Sequence, residues 1–237
     1  MSMKMIKKHP KIVALVPMRH NSERVPGKNY RLFAGRPLYH HIIGSLLACP
    51  LITEVVIDTD SQTIMEDASQ HFPQVRLIDR PDHLRSGTIP MNDVLLYDVS
   101  RIQSDYYLQT HSTNPLLRTE TITKAIETFL SPGNHDSLFG VTRLQTRLYD
   151  SQGHPINHDP DILLRTQDLP PVYEENSTLY IFSGKTLEAR KNRIGCRPIM
   201  FEVSREEAID IDEELDFLFA EFFFKQRQKM EVNKREI

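Results

Sequence analysis

Two groups of charged side chains in this sequence could do chemistry. The first is the stretch Pro17-Met18-Arg19-His20-Asn21-Ser22-Glu23-Arg24-Val25-Pro26-Gly27-Lys28-Asn29, which puts Arg19, Arg24 and Lys28 within ten residues among small and polar neighbours. Backbone N–H groups and cations converging in a loop after a strand are suited to holding phosphate. The alternative is a solvated basic loop. The stretch is not the glycine-rich dinucleotide fingerprint, and it lacks the Gly-Lys-Ser/Thr ending of a P-loop. The second group is Asp210-Ile211-Asp212, near the other end. In an extended segment the two acids point to one side and Ile211 points to the core. Two converging carboxylates are what Mg2+ takes alongside phosphate oxygens and water. The alternative is that Asp212 caps the following helix and Asp210 is solvated.

The elements that must position these groups follow from apolar periodicity. Ile12 to Val16 is an apolar run expected to be a buried strand, with Pro17 ending it because proline has no N–H for the ladder. Pro37 suits the first turn of a helix whose stripe is Leu38, Ile42, Ile43, Leu46 and Leu47. A strand over 54–60 leads to a helix that Asp60 and Ser61 would cap, and a strand over 74–78 leads to the loop Asp79-Arg80-Pro81 through Ser86-Gly87-Thr88. A helix from Met91, a strand over 105–108 and a helix from Thr119 follow. After a strand over 137–142, the polar residues of about 143–165, with Gly153, Pro155 and Pro160, read as an extended excursion outside the sheet. A strand over 196–203 precedes the acidic pair. The last helix carries Leu215, Leu218, Phe219 and Phe222 on one face, widened by Phe217, Phe223 and Phe224, and that face is expected to pack on the core, with a subunit contact as the alternative. The alternation predicts an α/β fold with a mostly parallel sheet and helices on both faces.

Composition narrows the partners. The 237 residues form one α/β domain in this reading, and 39% hydrophobic content supports a packed core. A net charge of −3 argues against a general nucleic-acid binder. No apolar run reaches the length of a membrane span, and residues 1–10 show no secretory apolar segment. Two cysteines, Cys49 and Cys196, lie far apart, as in a cytoplasmic protein without a structural zinc site.

The order of these motifs resembles the acylneuraminate (CMP-sialic acid synthetase-like) cytidylyltransferase family. Pro-x-Arg, a polar loop and Pro-Gly-Lys-Asn match its opening signature. Arg80-Pro81 with the turn ending at Thr88, the segment from Gln109, the segment Arg165-Thr166-Gln167-Asp168 through Asn176, and Asp210-Ile211-Asp212-x-x-x-Asp216 match in order. The resemblance implies a three-layer Rossmann-like nucleotidyltransferase fold and transfer of CMP from CTP to an acidic sugar. It implies Mg2+ on Asp210 and Asp212, with Arg19, Lys28 and Asp212 as the catalytic groups. Arg19, Ser22, Lys28, Asn29, Arg80, Ser86, Gly87 and Thr88 would hold the nucleotide, Arg80 reading cytosine. Gln109, or His111 in its place, would face the sugar together with Arg165, Gln167, Tyr173 and Asn176. The excursion would reach across to a second subunit of a homodimer. This sequence departs from the family at Thr166, where a second Arg is usual, at Ser177, where Gly is usual, and in a longer segment after Gln109. Two readings therefore stay open beside a nonulosonic acid: Kdo or a phosphonate as acceptor, or a nucleotide-binding subunit without turnover.

Overall fold

A computed structural model describes residues 10–235; the reading of residues 1–9 lies outside them. Strand β1 (Ile12–Met18) is followed by the short β2 (Leu32–Phe33) and β3 (Arg36–Pro37), and by helix α1 (Leu38–Leu47). Then come β4 (Glu54–Thr59), α2 (Gln62–His71), β5 (Arg76–Asp79), α3 (Met91–Arg101), β6 (Tyr106–Thr110) and α4 (Thr119–Leu130). The chain ends with β7 (Ser137–Leu144), β8 (Val172–Phe182), α5 (Gly184–Arg190), β9 (Pro198–Glu202) and α6 (Glu214–Arg235).

Seven strands form one sheet in the order β5-β4-β1-β6-β8-β7-β9. All its pairings are parallel except those of β8, which runs antiparallel to both β6 and β7. β1 lies at the centre and is buried at every position, as expected for a strand covered on both faces. Its side chains alternate between two cores. Ile12, Ala14, Val16 and Met18 join Ile42, Ile43, Ile64, Ile122 and Ile126 from α1, α2 and α4, whereas Val13 and Leu15 join Leu95 and Leu187 from α3 and α5. The two helical layers are thus written into the period of one strand.

Three expectations change. Pro17 does not end β1: it pairs in register with Asp58, and the strand runs on to Met18. Pairing with β6 has stopped at Leu15, so β1 is bonded on one side only where the missing N–H falls. Ser61 alone caps α2, accepting from the Ile64 N–H, while Asp60 accepts from the His20 N–H at 2.6 Å. On α6 the core face is Phe217, Ala220 and Phe224, packed with Phe33, Leu38, Leu116 and Ile211. Leu215, Leu218, Phe219, Phe222 and Phe223 are exposed. A helix apolar on most sides leaves its phase to tertiary packing.

Candidate active site

The cationic loop is built by local constraints. Val25 is buried and anchors it. Gly27 takes a left-handed conformation (φ 65°), and a side chain there would also strike the Tyr30 ring. The chain then turns tightly through Lys28–Tyr30, with the Lys28 N–H bonded to the Val25 carbonyl. The Asn29 amide donates to the Arg19 carbonyl at 2.7 Å and accepts from the Ser112 hydroxyl at 2.6 Å. Asn29 thereby ties the two ends of the loop together and clamps them to the segment after β6.

The acidic pair comes to this loop through packing. Ile211 is fully buried under α6 and donates its N–H to the Thr113 carbonyl at 3.0 Å. Its neighbours Asp210 and Asp212 are held with it. Lys28 Nζ donates to the Ile211 carbonyl and lies 3.7 Å from Asp212 Oδ1; Arg24 donates to the same carboxylate at 2.7 Å. Residues 183 positions apart in the chain therefore share one hydrogen-bonded cluster. Asp216 is more than a surface acid: its Oδ2 accepts from the N–H groups of Asp212 and Glu213 at 3.0 and 2.8 Å, an N-terminal cap for the last helix.

Electrostatics follow from burial. Burial pushes the Lys28 amine below its ordinary value, opposed by Asp210 and Asp212. Burial pushes the Asp210 carboxyl up, against a hydrogen bond from Thr113. Asp210 Oδ1 is buried and meets no donor. An orphaned carboxylate oxygen beside a second carboxylate fits a hard divalent cation, so Asp210 and Asp212 suit Mg2+.

The loop and Asp212 border a cleft of about 420 Å3, lined also by Ser22, Ser86, Gly87, Met91 and His111. It opens at the C-terminal ends of β1, β5 and β6, where open α/β sheets bind ligands. Gly87 matters by its lack of a side chain: a Cβ would lie 2.6 Å from Arg19 Nη1. Thr88 stands one step back from the lining, its hydroxyl 2.9 Å from that of Ser86. Arg80 lines the cleft but is 2% exposed. Its partner is Asp58, not Asp79 or Asp82: Nε donates to the Asp58 carboxylate and Nη2 to the Asp58 carbonyl at 3.3 Å. Asp98 packs against this pair, and burial together with the Asp58 charge pushes its carboxyl up to about 9.

Gln109 is buried at the end of β6. Its Nε2 is 3.0 Å from His111 Nε2, and its Oε1 accepts from Arg193 Nη1 at 2.6 Å. His111 rather than Gln109 reaches the cleft lining. Burial, then Arg193 and Lys28, push the His111 imidazole down to about 3, so it is neutral. The remaining expected sugar contacts lie apart from this cleft in one chain. Arg165 is exposed and pairs with Asp168 at 2.7 Å, Gln167 and Tyr173 are exposed, and the Asn176 amide braces Thr142 and Thr178.

Sequence reasoning missed Arg193, Asp58 and Asp98. Each acquires its role from a partner far away in the chain, so no spacing marks it.

The cytidylyltransferase family profile matches residues 13–235. The CMP-N,N'-diacetyllegionaminic acid synthase of Legionella pneumophila is 30% identical over 237 residues, covering 92% of this chain and 98% of that protein. The pseudaminic acid cytidylyltransferase of Campylobacter jejuni (serotype O:2) is 26% identical over 225 residues, covering 91% and 97%. A solved CMP:2-keto-3-deoxy-manno-octonic acid synthetase complexed with CTP has the same fold, with a TM-score of 0.68, 16% identity and coverage of 92% of this chain and 99% of that one. With the cationic loop, the acidic pair and the cleft between them in place, the chain belongs to the cytidylyltransferase family.

Proposed function

We propose that this protein transfers CMP from CTP to the C2 hydroxyl of an acidic nonulosonic sugar and releases pyrophosphate. The observation that carries the reading is the meeting of Arg24 and Lys28 with Asp212 at the edge of the cleft. The relatives named for legionaminic and pseudaminic acids support the acceptor class.

The C2 hydroxyl gives up its proton to solvent as its oxygen attacks the α-phosphorus, the bond from that phosphorus to the bridging oxygen breaks, and pyrophosphate leaves with the electron pair. Such a reaction is catalysed mainly by positioning and charge neutralisation. Arg19 and Lys28 neutralise the triphosphate and the charge developing on pyrophosphate. Arg80 and the turn of Ser86 and Gly87 bound the space for the cytosine, with Arg80 held rigid by Asp58. Asp210 and Asp212 would hold Mg2+. When bound, the ion supplies charge to the α-phosphate and lowers the pKa of the attacking hydroxyl.

The chain acts as one cytoplasmic domain and as a homodimer. The excursion, with Ile156, Ile162 and Leu163 exposed, covers a second subunit and brings Arg165, Gln167 and Tyr173 towards the partner's acceptor. The test is pyrophosphate release from CTP with Mg2+ and a panel of N-acetylneuraminic, N,N'-diacetyllegionaminic and pseudaminic acids, with Kdo alongside. Turnover of a nonulosonic acid is expected. CTP binding without release from any acid would overturn the reading.

A further inference from the structure

Arg193 is a half-buried cation with no ion pair among the described residues. It follows α5 in a turn that the sequence does not mark. Its N–H donates to Asn92 Oδ1 at 3.2 Å, beside Met91 of the cleft lining. Its guanidinium lies 3.6 Å from the centroid of the Tyr180 ring, and Nη1 donates to Gln109 Oε1 at 2.6 Å. Among the described residues it forms no ion pair with a carboxylate. Glu175, the acid whose charge acts on it, is engaged by the Tyr180 hydroxyl.

Stacking and a neutral amide fix the plane of the guanidinium, and no carboxylate is bonded to it among the described residues. Buried charges in proteins are paired or bind an ion. A guanidinium held flat with N–H groups to spare matches the two oxygens of a carboxylate. Its position agrees with that use. Arg193 lies one side chain behind the cleft lining: the Gln109 amide that it holds is 3.0 Å from Nε2 of His111, which lines the cleft. The cation expected at position 166 is a threonine, and Arg165 is turned to solvent and paired with Asp168.

We propose that Arg193 binds the carboxylate of the acidic acceptor, with Gln109 and Tyr180 as the residues that position it. This rests on the acceptor class proposed above.

The experiment compares wild type, Arg193→Met, Arg193→Lys and Arg165→Met, using CTP and whichever nonulosonic acid of the panel the wild type turns over, as the free acid and as its methyl ester. Arg193→Met should raise KM for the free acid about 100-fold, from loss of a charge-assisted pair. KM for CTP should stay within threefold, and Arg193→Lys should recover part of the loss. The methyl ester should show no such difference between wild type and Arg193→Met. CTP binding by calorimetry and the melting temperature show that the variant is folded. An unchanged acid KM in Arg193→Met, an equal loss for acid and ester, or a loss confined to Arg165→Met would overturn the assignment while leaving the reaction in place. A wild type that releases no pyrophosphate with any acid would overturn both.

Discussion

Replacing Asp98 by Asn should stabilise this protein at high pH and not at low pH. Asp98 is fully buried on α3 against Asp58, which is itself buried and bonded to Arg80. Neither Asp98 oxygen meets a donor, nor does Asp58 Oδ2. A proton on Asp98 resolves this, because the acid can then donate to Asp58. Burial raises both carboxyls, but only Asp58 has a guanidinium, so Asp58 carries the charge and Asp98 keeps the proton. The folded carboxyl of Asp98 stands at about 9, against an ordinary value of 3.8. The unfolded chain therefore releases this proton above pH 4, while the folded chain holds it to about pH 9. Stability contributed by the group is complete below pH 4 and falls as pH rises. Each unit is worth about 1.4 kcal/mol, so pH 5 to pH 8 spans about 4 kcal/mol at the limit. Asp58 shares the titration, so this is an upper bound. Asparagine keeps a donor towards Asp58 and does not titrate. At about 2–4 °C per kcal/mol for a chain of this size, the melting temperature of Asp98→Asn should gain on wild type between pH 5 and pH 8, by no more than about 8–16 °C. Thermal melts of both proteins at pH 5, 6.5 and 8 measure this. A difference that stays constant, or shrinks as pH rises, would refute the shared proton.

Asp210→Asn and Asp212→Asn should each lower kcat for pyrophosphate release by about 10²–10³-fold, with KM for CTP changed far less, if the pair acts on developing charge; a Mg2+ titration of initial rates reads both effects. On the acid side, His41 is buried against Phe33 and Phe224 and pushed by burial down to about 4, its Nε2 donating to the Phe33 carbonyl at 2.9 Å. The unfolded chain gains this proton below about pH 6.5 and the folded one only near pH 4, so stability should fall by about 3 kcal/mol across that window; His41→Gln should flatten the fall in urea titrations at pH 6.5 and 4.5. Leu163 is 90% exposed on the excursion, and Leu163→Asp should shift the protein from dimer to monomer in sedimentation velocity; an unchanged species would place the interface elsewhere.

Much of the architecture could be read along the chain, because the signals were local. The period of β1, the caps and turns of the helices, and the cations following a central strand each involve neighbours within a few residues. The Asp-Ile-Asp alternation likewise announced a buried isoleucine between two acids, and Ile211 is buried. Reading stopped where a residue's role depends on a distant partner. No local signal says that Arg80 is bonded to Asp58, 22 positions earlier. Nor does one say that the Asn29 amide holds Arg19 and Ser112. The phase of α6 was misjudged because its apolar residues surround most of the helix, and only the pocket formed by Phe33, Leu116 and Ile211 selects Phe217 and Phe224.

From the order of residues alone came the layered α/β class, the phosphate-holding loop and the acid pair, since strand period, turn chemistry and charge type need no distant information. Folding alone brought Lys28 to Asp212 across 184 positions and Arg193 to Gln109 across 84. Those contacts arise from burial of Ile211 and from stacking on Tyr180, and such packing has no period along a chain.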